Sequence, residues 1–114
     1  MKIQTENRGD VSILELTGEL DYHSSPELRE KLTELVAKQA PKILVNLKGV
    51  DYMDSSGIAT FVEAYQKSKR YQGRLVLAEL TPTVRGVFEI AKLESLFEIA
   101  PTFEEALERL TVKV

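Results

Sequence analysis

A short polar segment, Asp54-Ser55-Ser56-Gly57, is the part of this sequence whose residue types could do chemistry, because it combines a carboxylate with two hydroxyls. It follows an apolar run and opens a helical pattern, so a serine here either caps the helix or points its hydroxyl at solvent. Taken alone, four common turn residues favour the cap. The functional alternative is a phosphoacceptor, since a phosphate adds about −1.5 to −2 charges and a helix N-terminus favours anions. Such a modification would spare the fold and place charge in the middle of any interface formed there.

Catalytic sites fit these residues poorly. A hydrolase nucleophile elbow needs glycine two positions before and after the serine, whereas Met53 stands two positions before Ser55. The single histidine, His23, lies in a polar segment and is predicted to be a surface residue. Neither glycine-rich phosphate-binding motif occurs, and there is no cysteine. We therefore expect no enzyme activity, no cofactor and no metal site. The aromatic residues on helical stripes are predicted to be core: Phe61, Tyr65, Phe88 and Phe103.

The hydrophobic pattern around this segment alternates short strands with amphipathic helices. Strands are predicted at residues 3–6, 11–17, 43–47 and 75–78, with a short edge strand at 97–99. Helices are predicted from Ser24-Ser25 up to Pro41, from Ser55 or Ser56 up to Gly73, from Thr81-Pro82, and from a capping box at Thr102. The turn Asn7-Arg8-Gly9-Asp10 makes the first two strands a hairpin. This order predicts a single α/β domain over residues 1–114, with a mixed, mostly parallel four- to five-stranded sheet and about four helices.

The loops that leave the carboxyl ends of parallel strands gather at one edge of a sheet, where partner sites usually lie. Three loops should meet there, at residues 18–23, 49–56 and 79–82. They carry five carboxylates: Glu19, Asp21, Asp51, Asp54 and Glu79. A partner docking at this edge should therefore bring Lys or Arg. The alternative, from charge alone, is a solvated acidic rim.

Composition and charge limit the kinds of partner. The chain has 114 residues, of which 43% are hydrophobic and 29% charged, as in an ordinary globular domain. A net charge of −3 argues against sequence-independent nucleic-acid binding and against anionic membranes. No apolar segment approaches the ~20 residues needed to span a bilayer, and the N-terminus turns polar before any signal-peptide core can form. We expect a monomeric cytoplasmic protein.

Together the segments resemble the STAS domains of bacterial anti-sigma factor antagonists. The resemblance covers nearly the whole chain in order, and the polar segment gains specificity from the Gly18-Glu19-Leu20-Asp21 that precedes it. After the motif, Gly57-Ile58-Ala59-Thr60 replaces the commoner Gly-Leu-Gly, which leaves the phosphosite intact and bears on partner identity. The residues that carry the resemblance are Leu16 to Asp21, Val45-Asn46-Leu47, Tyr52-Met53-Asp54-Ser55-Ser56-Gly57, Pro82, Phe88, Ile90, Leu93 and Phe97.

The resemblance implies a mechanism called partner switching. The unmodified protein binds an anti-sigma factor that is also a serine kinase, and a sigma factor is freed. The kinase, which holds the ATP, phosphorylates the serine directly after the aspartate, which is Ser55 here. The complex then separates, and a serine phosphatase resets the switch. By position, Asp21 and Asp54 flank the phosphoacceptor and help to hold the kinase. Ser56 would be the helix cap, and Gly57 completes the partner-binding motif.

Two alternatives use the same edge differently. A constitutive interaction subunit, such as the small STAS component of a lipid-transport ATPase complex, would bind there without phosphorylation. A receiver-type enzyme that phosphorylates its own aspartate needs an acidic pair after the first parallel strand and a lysine after the last core strand. Glu19 and Asp21 are a poor version of that pair, and Ala78-Glu79-Leu80 stands where the lysine is required. The receiver alternative is therefore disfavoured.

Overall fold

The computed structural model describes residues 1–111, which form one five-stranded sheet in the order β1-β2-β3-β4-β5. β1 pairs with β2 antiparallel, and the remaining neighbours are parallel. This confirms the predicted α/β class with a mixed, mostly parallel sheet and four helices. The strands are β1 Lys2–Arg8, β2 Val11–Leu20, β3 Lys42–Met53, β4 Arg74–Ala78 and β5 Glu98–Ala100; the helices are α1 Ser25–Ala37, α2 Ser55–Lys69, α3 Pro82–Ile90 and α4 Phe103–Thr111.

Helices cover both faces of the sheet unequally. Residues of α1, α2 and α3 pack with one face into a large cluster, while α4 covers part of the other face alone. The two faces alternate along β3, where Ile43 and Val45 join the large cluster and Leu44 joins the cluster under α4. A strand buried on both sides therefore needs the continuous apolar run seen in the sequence.

The predicted aromatic core is largely confirmed. Phe61 and Phe88 have no exposed surface, and Phe97 packs edge to face on Phe88 with ring centroids 5.5 Å apart. Tyr65 makes the same kind of contact with Phe97 from α2. Phe103 is only half-buried, because it is the first residue of α4 and lies beneath the Arg8 guanidinium, whose carbon is 5.5 Å from the ring centroid. This cation–π contact ties β1 to the far helix.

Strands β2 and β3 run three and six residues further than predicted. Their pairing continues past Glu15 only by register shifts, between Glu15 and Thr17 and between Gly18 and Glu19. Such bulges interrupt the regular alternation that sequence patterns detect. Gly49 permits the close approach, since a Cβ there would lie 2.9 Å from the Leu16 carbonyl oxygen. The extensions deliver both strand ends to the edge that carries the polar segment.

Helix α2 ends differently from the prediction. Gly73 was predicted as the stop, but α2 ends at Lys69 and Gln72 adopts the left-handed conformation, with a φ of 61°. Gly73 is needed for space, because a Cβ there would lie 2.6 Å from the Tyr71 ring. The Tyr71 hydroxyl in turn donates to the Ala40 carbonyl at 2.8 Å. This aromatic contact was not readable from the local sequence.

Candidate functional site

Ser55 occupies the first position of α2, directly after β3, and its side chain is exposed. Asp54 precedes it with extended backbone and is the N-cap of the helix. Its Oδ1 accepts from the Ser56 N–H at 2.8 Å. The prediction that Ser56 is the cap is therefore wrong. Aspartate is as good an N-cap as serine, so Ser55 stands at the helix N-terminus without the capping duty that would occupy its hydroxyl.

The same carboxylate also holds the neighbouring loop. Asp54 Oδ2 accepts from the Tyr22 N–H at 3.2 Å, and the Asp54 N–H donates to the Leu20 carbonyl at 3.2 Å. Asp54 thus joins the β2–α1 loop to the first turn of α2. Tyr22 and Asp54 lie 32 residues apart in sequence, and the Asp54 side chain holds the β2–α1 loop close to Ser55.

The cap gives a prediction for stability. We expect Asp54→Ala to lower the free energy of unfolding by about 1 kcal/mol, because the Ser56 N–H loses its acceptor. Asp54→Asn should recover most of that loss, since its amide oxygen can accept the same bond while the charge is gone. Urea unfolding measures both. Equal losses for the two variants would show that charge, not capping, is the contribution of Asp54.

Asp21 organises the β2–α1 loop. Its Oδ1 accepts from the N–H groups of His23 at 2.9 Å and Ser24 at 3.0 Å. Ser24 Oγ accepts from the Asp21 N–H at 2.9 Å and donates to the Glu19 carbonyl at 2.7 Å. The N–H of Ser24 above all, together with its hydroxyl and the N–H of His23, holds the pKa of the Asp21 carboxyl below its ordinary value. The structure thus places Asp21 beside the site as an ionised loop brace.

The lowered pKa predicts how the loop responds to acid. In the unfolded chain the Asp21 pKa is about 3.9, so the ionised carboxylate stabilises the folded loop above that pH. This contribution is lost as the pH falls through the lower folded pKa. Carboxyl-carbon NMR should find the Asp21 pKa depressed in the folded protein and partly restored by Ser24→Ala. A folded pKa at or above the ordinary value would contradict the bonding described.

Gly57 is buried, at the third position of α2. A Cβ at this position would lie 2.8 Å from Leu20 Cγ and 2.9 Å from Met53 Cγ. Both of those side chains are buried at the ends of β2 and β3. The absence of a side chain on Gly57 therefore lets α2 begin directly against the strands. The role of Gly57 in partner binding stays a prediction. Because Gly57 is buried, that role would be to position the helix.

The predicted acidic edge is only partly formed. Glu19 and Asp51 are exposed, and Asp21 and Asp54 are half-buried with their backbone partners. Glu79 does not join them: its backbone is left-handed, with a φ of 60°, and its carboxylate accepts from the Phe103 N–H at 2.8 Å. Glu79 thereby caps α4 on the other face of the sheet. The sequence did not show this bond, because it does not tell which helix a loop carboxylate meets.

Two tyrosines near the start of α2 are exposed, and the sequence pattern predicted a site role for neither. Tyr22 is 74% exposed and Tyr52 is 45% exposed. The Tyr22 ring meets the His23 ring edge to face at 5.8 Å. Exposed tyrosines are enriched where protein partners bind. The sequence offered no periodic signal for Tyr52, because a register shift interrupts the alternation of β3 there and leaves Asp51 and Tyr52 both exposed.

A groove of about 1070 Å³ runs between α1 and α2 and reaches Tyr22 and Ser56. Arg29 crosses it to Glu63 at 2.8 Å, and Lys67 reaches the same carboxylate at 3.1 Å. These partners lower the pKa of Glu63, with Arg29 the larger cause. The first turns of α2 carry Ser55 and also line this groove. The groove is therefore continuous with the surface around Ser55.

Within residues 1–111, no three His, Cys, Asp or Glu side chains are grouped to hold a metal ion. Over that same range, no helix is long and apolar enough to cross a bilayer. An exposed serine at a helix N-terminus, flanked by braced carboxylates and exposed tyrosines, instead defines a small α/β protein-binding domain.

Comparison with known proteins supports the same class. A family profile for the STAS domain matches residues 2–106. The anti-sigma-B factor antagonist of Bacillus subtilis (strain 168) is 34% identical over 103 residues, covering 90% of this chain and 93% of the relative. The anti-sigma F factor antagonist of Paenibacillus polymyxa is 29% identical over 112 residues, covering 97% of this chain and 93% of the relative.

Solved structures of one such protein, SpoIIAA, are also similar. Its unphosphorylated form is 28% identical with a TM-score of 0.76, covering 96% of this chain and 97% of the neighbour. The phosphorylated form from Bacillus is 30% identical with a TM-score of 0.76, covering 96% of this chain and 99% of the neighbour. The chain belongs to the STAS domain family. Its relatives are anti-sigma factor antagonists, which are regulatory binding proteins rather than enzymes, and the prediction of a non-enzymatic protein agrees with them.

Proposed function

We propose that this protein is an anti-sigma factor antagonist whose unphosphorylated form binds an anti-sigma factor serine kinase through the edge around Ser55. The observation that carries the proposal is the exposed Ser55 hydroxyl at the first position of α2, with Asp54 acting as the cap. Relatives named for the same activity support it. The kinase supplies the ATP, so the chain itself needs no cofactor, and both proteins work in the cytoplasm.

Phosphorylation of Ser55 ends the binding in this proposal. The phosphate changes the net charge of the chain from −3 to about −5 at neutral pH. The α2 N-terminus accommodates the added anion, because its backbone N–H groups and dipole favour negative charge. Phosphorylation therefore leaves the fold intact and changes the charge of the surface that binds the partner. A serine phosphatase removes the phosphate and restores the binding form.

The proposed partner surface combines charge and aromatic area. Exposed Asp51 and Glu19 attract a basic partner, and the tyrosines supply the apolar contact that fixes it. Asp21 and Asp54 contribute by holding the loops in place as well as by their charge. Ser55 lies among these groups, so a phosphate there adds negative charge that the partner's basic residues, already engaged by the existing carboxylates, do not neutralise. Repulsion from the neighbouring Asp54 adds to the cost of binding.

The first experiment is an affinity purification from lysate of the source cells with wild-type and Ser55→Asp baits side by side. We expect mass spectrometry to find an ATP-binding serine kinase with the wild type and to lose it with Ser55→Asp. Recovery of the same transporter subunits by both baits would favour the constitutive subunit and would reject the switch.

The phosphoacceptor is tested with the purified kinase. Ser55→Ala should abolish phosphate incorporation from ATP, whereas Ser56→Ala should retain it, because Ser56 is half-buried at the second helical position. Phosphopeptide mapping of the wild type should place the modification on Ser55. Phosphate on Ser56 alone would contradict the assignment.

A further inference from the structure

The outer edge of β1 is a second surface that the site does not use. β1 spans seven residues at one end of the sheet, has no proline and pairs with β2 without a register shift. Six of its residues are exposed and Ile3 is half-buried. The opposite edge, β5, has only three residues. The outer edge of a strand of this length presents a row of N–H and C=O groups with which another strand can pair.

Charge usually protects such edges, and β1 carries three charged residues on one face. Ile3 packs toward the cluster of α1 to α3, while Arg8 lies over Phe103 of α4. By alternation, Lys2, Gln4 and Glu6 lie with Arg8 on the α4 side. The side chains on this face are positive, neutral, negative and positive in that order. This order decides in which registers β1 of one copy can pair with β1 of a second copy.

A second copy of β1 can pair antiparallel only about a twofold axis perpendicular to the sheet, which keeps the same residues on the same face. Centring that axis on Thr5 places Lys2 opposite Arg8, two like charges. Centring it on Glu6 places two glutamates opposite each other. Centring it on Gln4 places Lys2 of each copy opposite Glu6 of the other, and Ile3 opposite Thr5. Of the three registers that pair at least five residues of β1, only the Gln4-centred one sets opposite charges against each other, and it also puts β-branched residues opposite each other on the other face.

We propose that the β1 edge binds a second copy of this chain in the Gln4-centred register, forming a continuous sheet of two five-stranded halves. Glu6 already accepts from Arg8 of its own strand. In the dimer it lies between that Arg8 and Lys2 of the second copy. The inference is independent of the proposed function and replaces the expectation of a monomer.

The dimer is weak and reversible. Five residues of each strand pair, against the roughly 20–30 residues a side of a standard stable interface. Its ion pairs are exposed, so added salt weakens it. The polar segment follows β3, two strands away from this edge. The N-terminal end of the edge lies closer to the site, because Met1 lines one shallow pocket together with Glu19 and Asp21.

Sedimentation velocity of the full chain from ten micromolar to one millimolar tests the dimer. We expect wild type to dimerise with rising concentration, and Lys2→Glu or Glu6→Lys to raise the dissociation constant about tenfold, because each makes two like-charge pairs. A mixture of the two variants should dimerise as well as wild type, since every pair is then complementary. Lys38→Glu, which changes the net charge by the same amount as Lys2→Glu but at an exposed site after α1, should have no such effect.

Each outcome decides the proposal. A chain that stays monomeric at one millimolar overturns it. A dimer that ignores both charge reversals overturns the β1 register. Loss in each variant with recovery in the mixture supports it, and circular dichroism of the variants distinguishes lost pairing from lost fold.

Discussion

Replacing Ser55 with aspartate is expected to weaken binding of the proposed kinase by about a hundredfold while leaving the fold intact. Ser55 is exposed at the start of α2, directly after Asp54 and four residues after Asp51 in sequence. A new carboxylate there is desolvated by the partner and repelled by Asp54 of its own chain, while the partner's basic residues are already engaged by the existing carboxylates. Unpaired or like charges inside an interface typically cost about 2–5 kcal/mol. Isothermal titration calorimetry with the purified kinase measures the loss.

Two control variants test whether the loss of binding comes from the charge at Ser55 itself, and not from side-chain shape or from the net charge of the chain. Ser55→Asn has nearly the shape of the aspartate without its charge and should bind within a few-fold of wild type. Gln66→Asp adds the same charge at an exposed position eleven residues further along α2 and should also bind normally. Equal binding by wild type and Ser55→Asp would end the partner-switch proposal.

The second large effect concerns Gly57. We expect Gly57→Ala to lower the free energy of unfolding by about 2 kcal/mol, because overpacking of a filled core generally costs about 1–3 kcal/mol. The new Cβ would lie 2.8 Å from Leu20 Cγ, on a side chain with no exposed surface. Relief requires α2 to move away from β2 and β3, which displaces Ser55 as well. Urea unfolding should therefore show a lower free energy of unfolding, and the affinity for the kinase should also fall.

Gly86 is the matched control. It also lies inside a helix, α3, but a Cβ there meets no atom within 4 Å. Gly86→Ala should therefore raise stability by about 0.5–1 kcal/mol, through the lower backbone entropy of the unfolded chain. Opposite signs for the two substitutions are the expected result. Stabilisation by Gly57→Ala would show that the strand ends have room for a side chain.

Much of the fold was readable in the sequence because it depends on local periodicity. The nearly continuous apolar run at Ile43 to Leu47 is typical of a strand covered on both faces, and the structure buries all five of its residues. Leu28 and Leu32 mark the buried stripe of α1, as their spacing predicts. The alternation of strands and helices then fixed the parallel order of β2, β3 and β4.

The same reasoning missed whatever depends on irregular pairing. β2 and β3 continue beyond their apolar segments through register shifts, which leave no period to detect. The left-handed residue after α2 is Gln72 rather than the neighbouring Gly73, whose place is set by the Tyr71 ring. Local residue preference indicated a glycine, and a side-chain contact decided otherwise.

For the site, the sequence by itself determined the segment and its chemistry: a serine after an aspartate at the start of a helix, with a second acid after the preceding parallel strand. Only the tertiary structure decided the role of each group. Asp54 caps α2 and holds Tyr22, Asp21 braces its own loop, and Glu79 turns away to α4. The reason is physical: a residue type shows what bonds a side chain can make, whereas the fold decides which of the competing donors comes within reach.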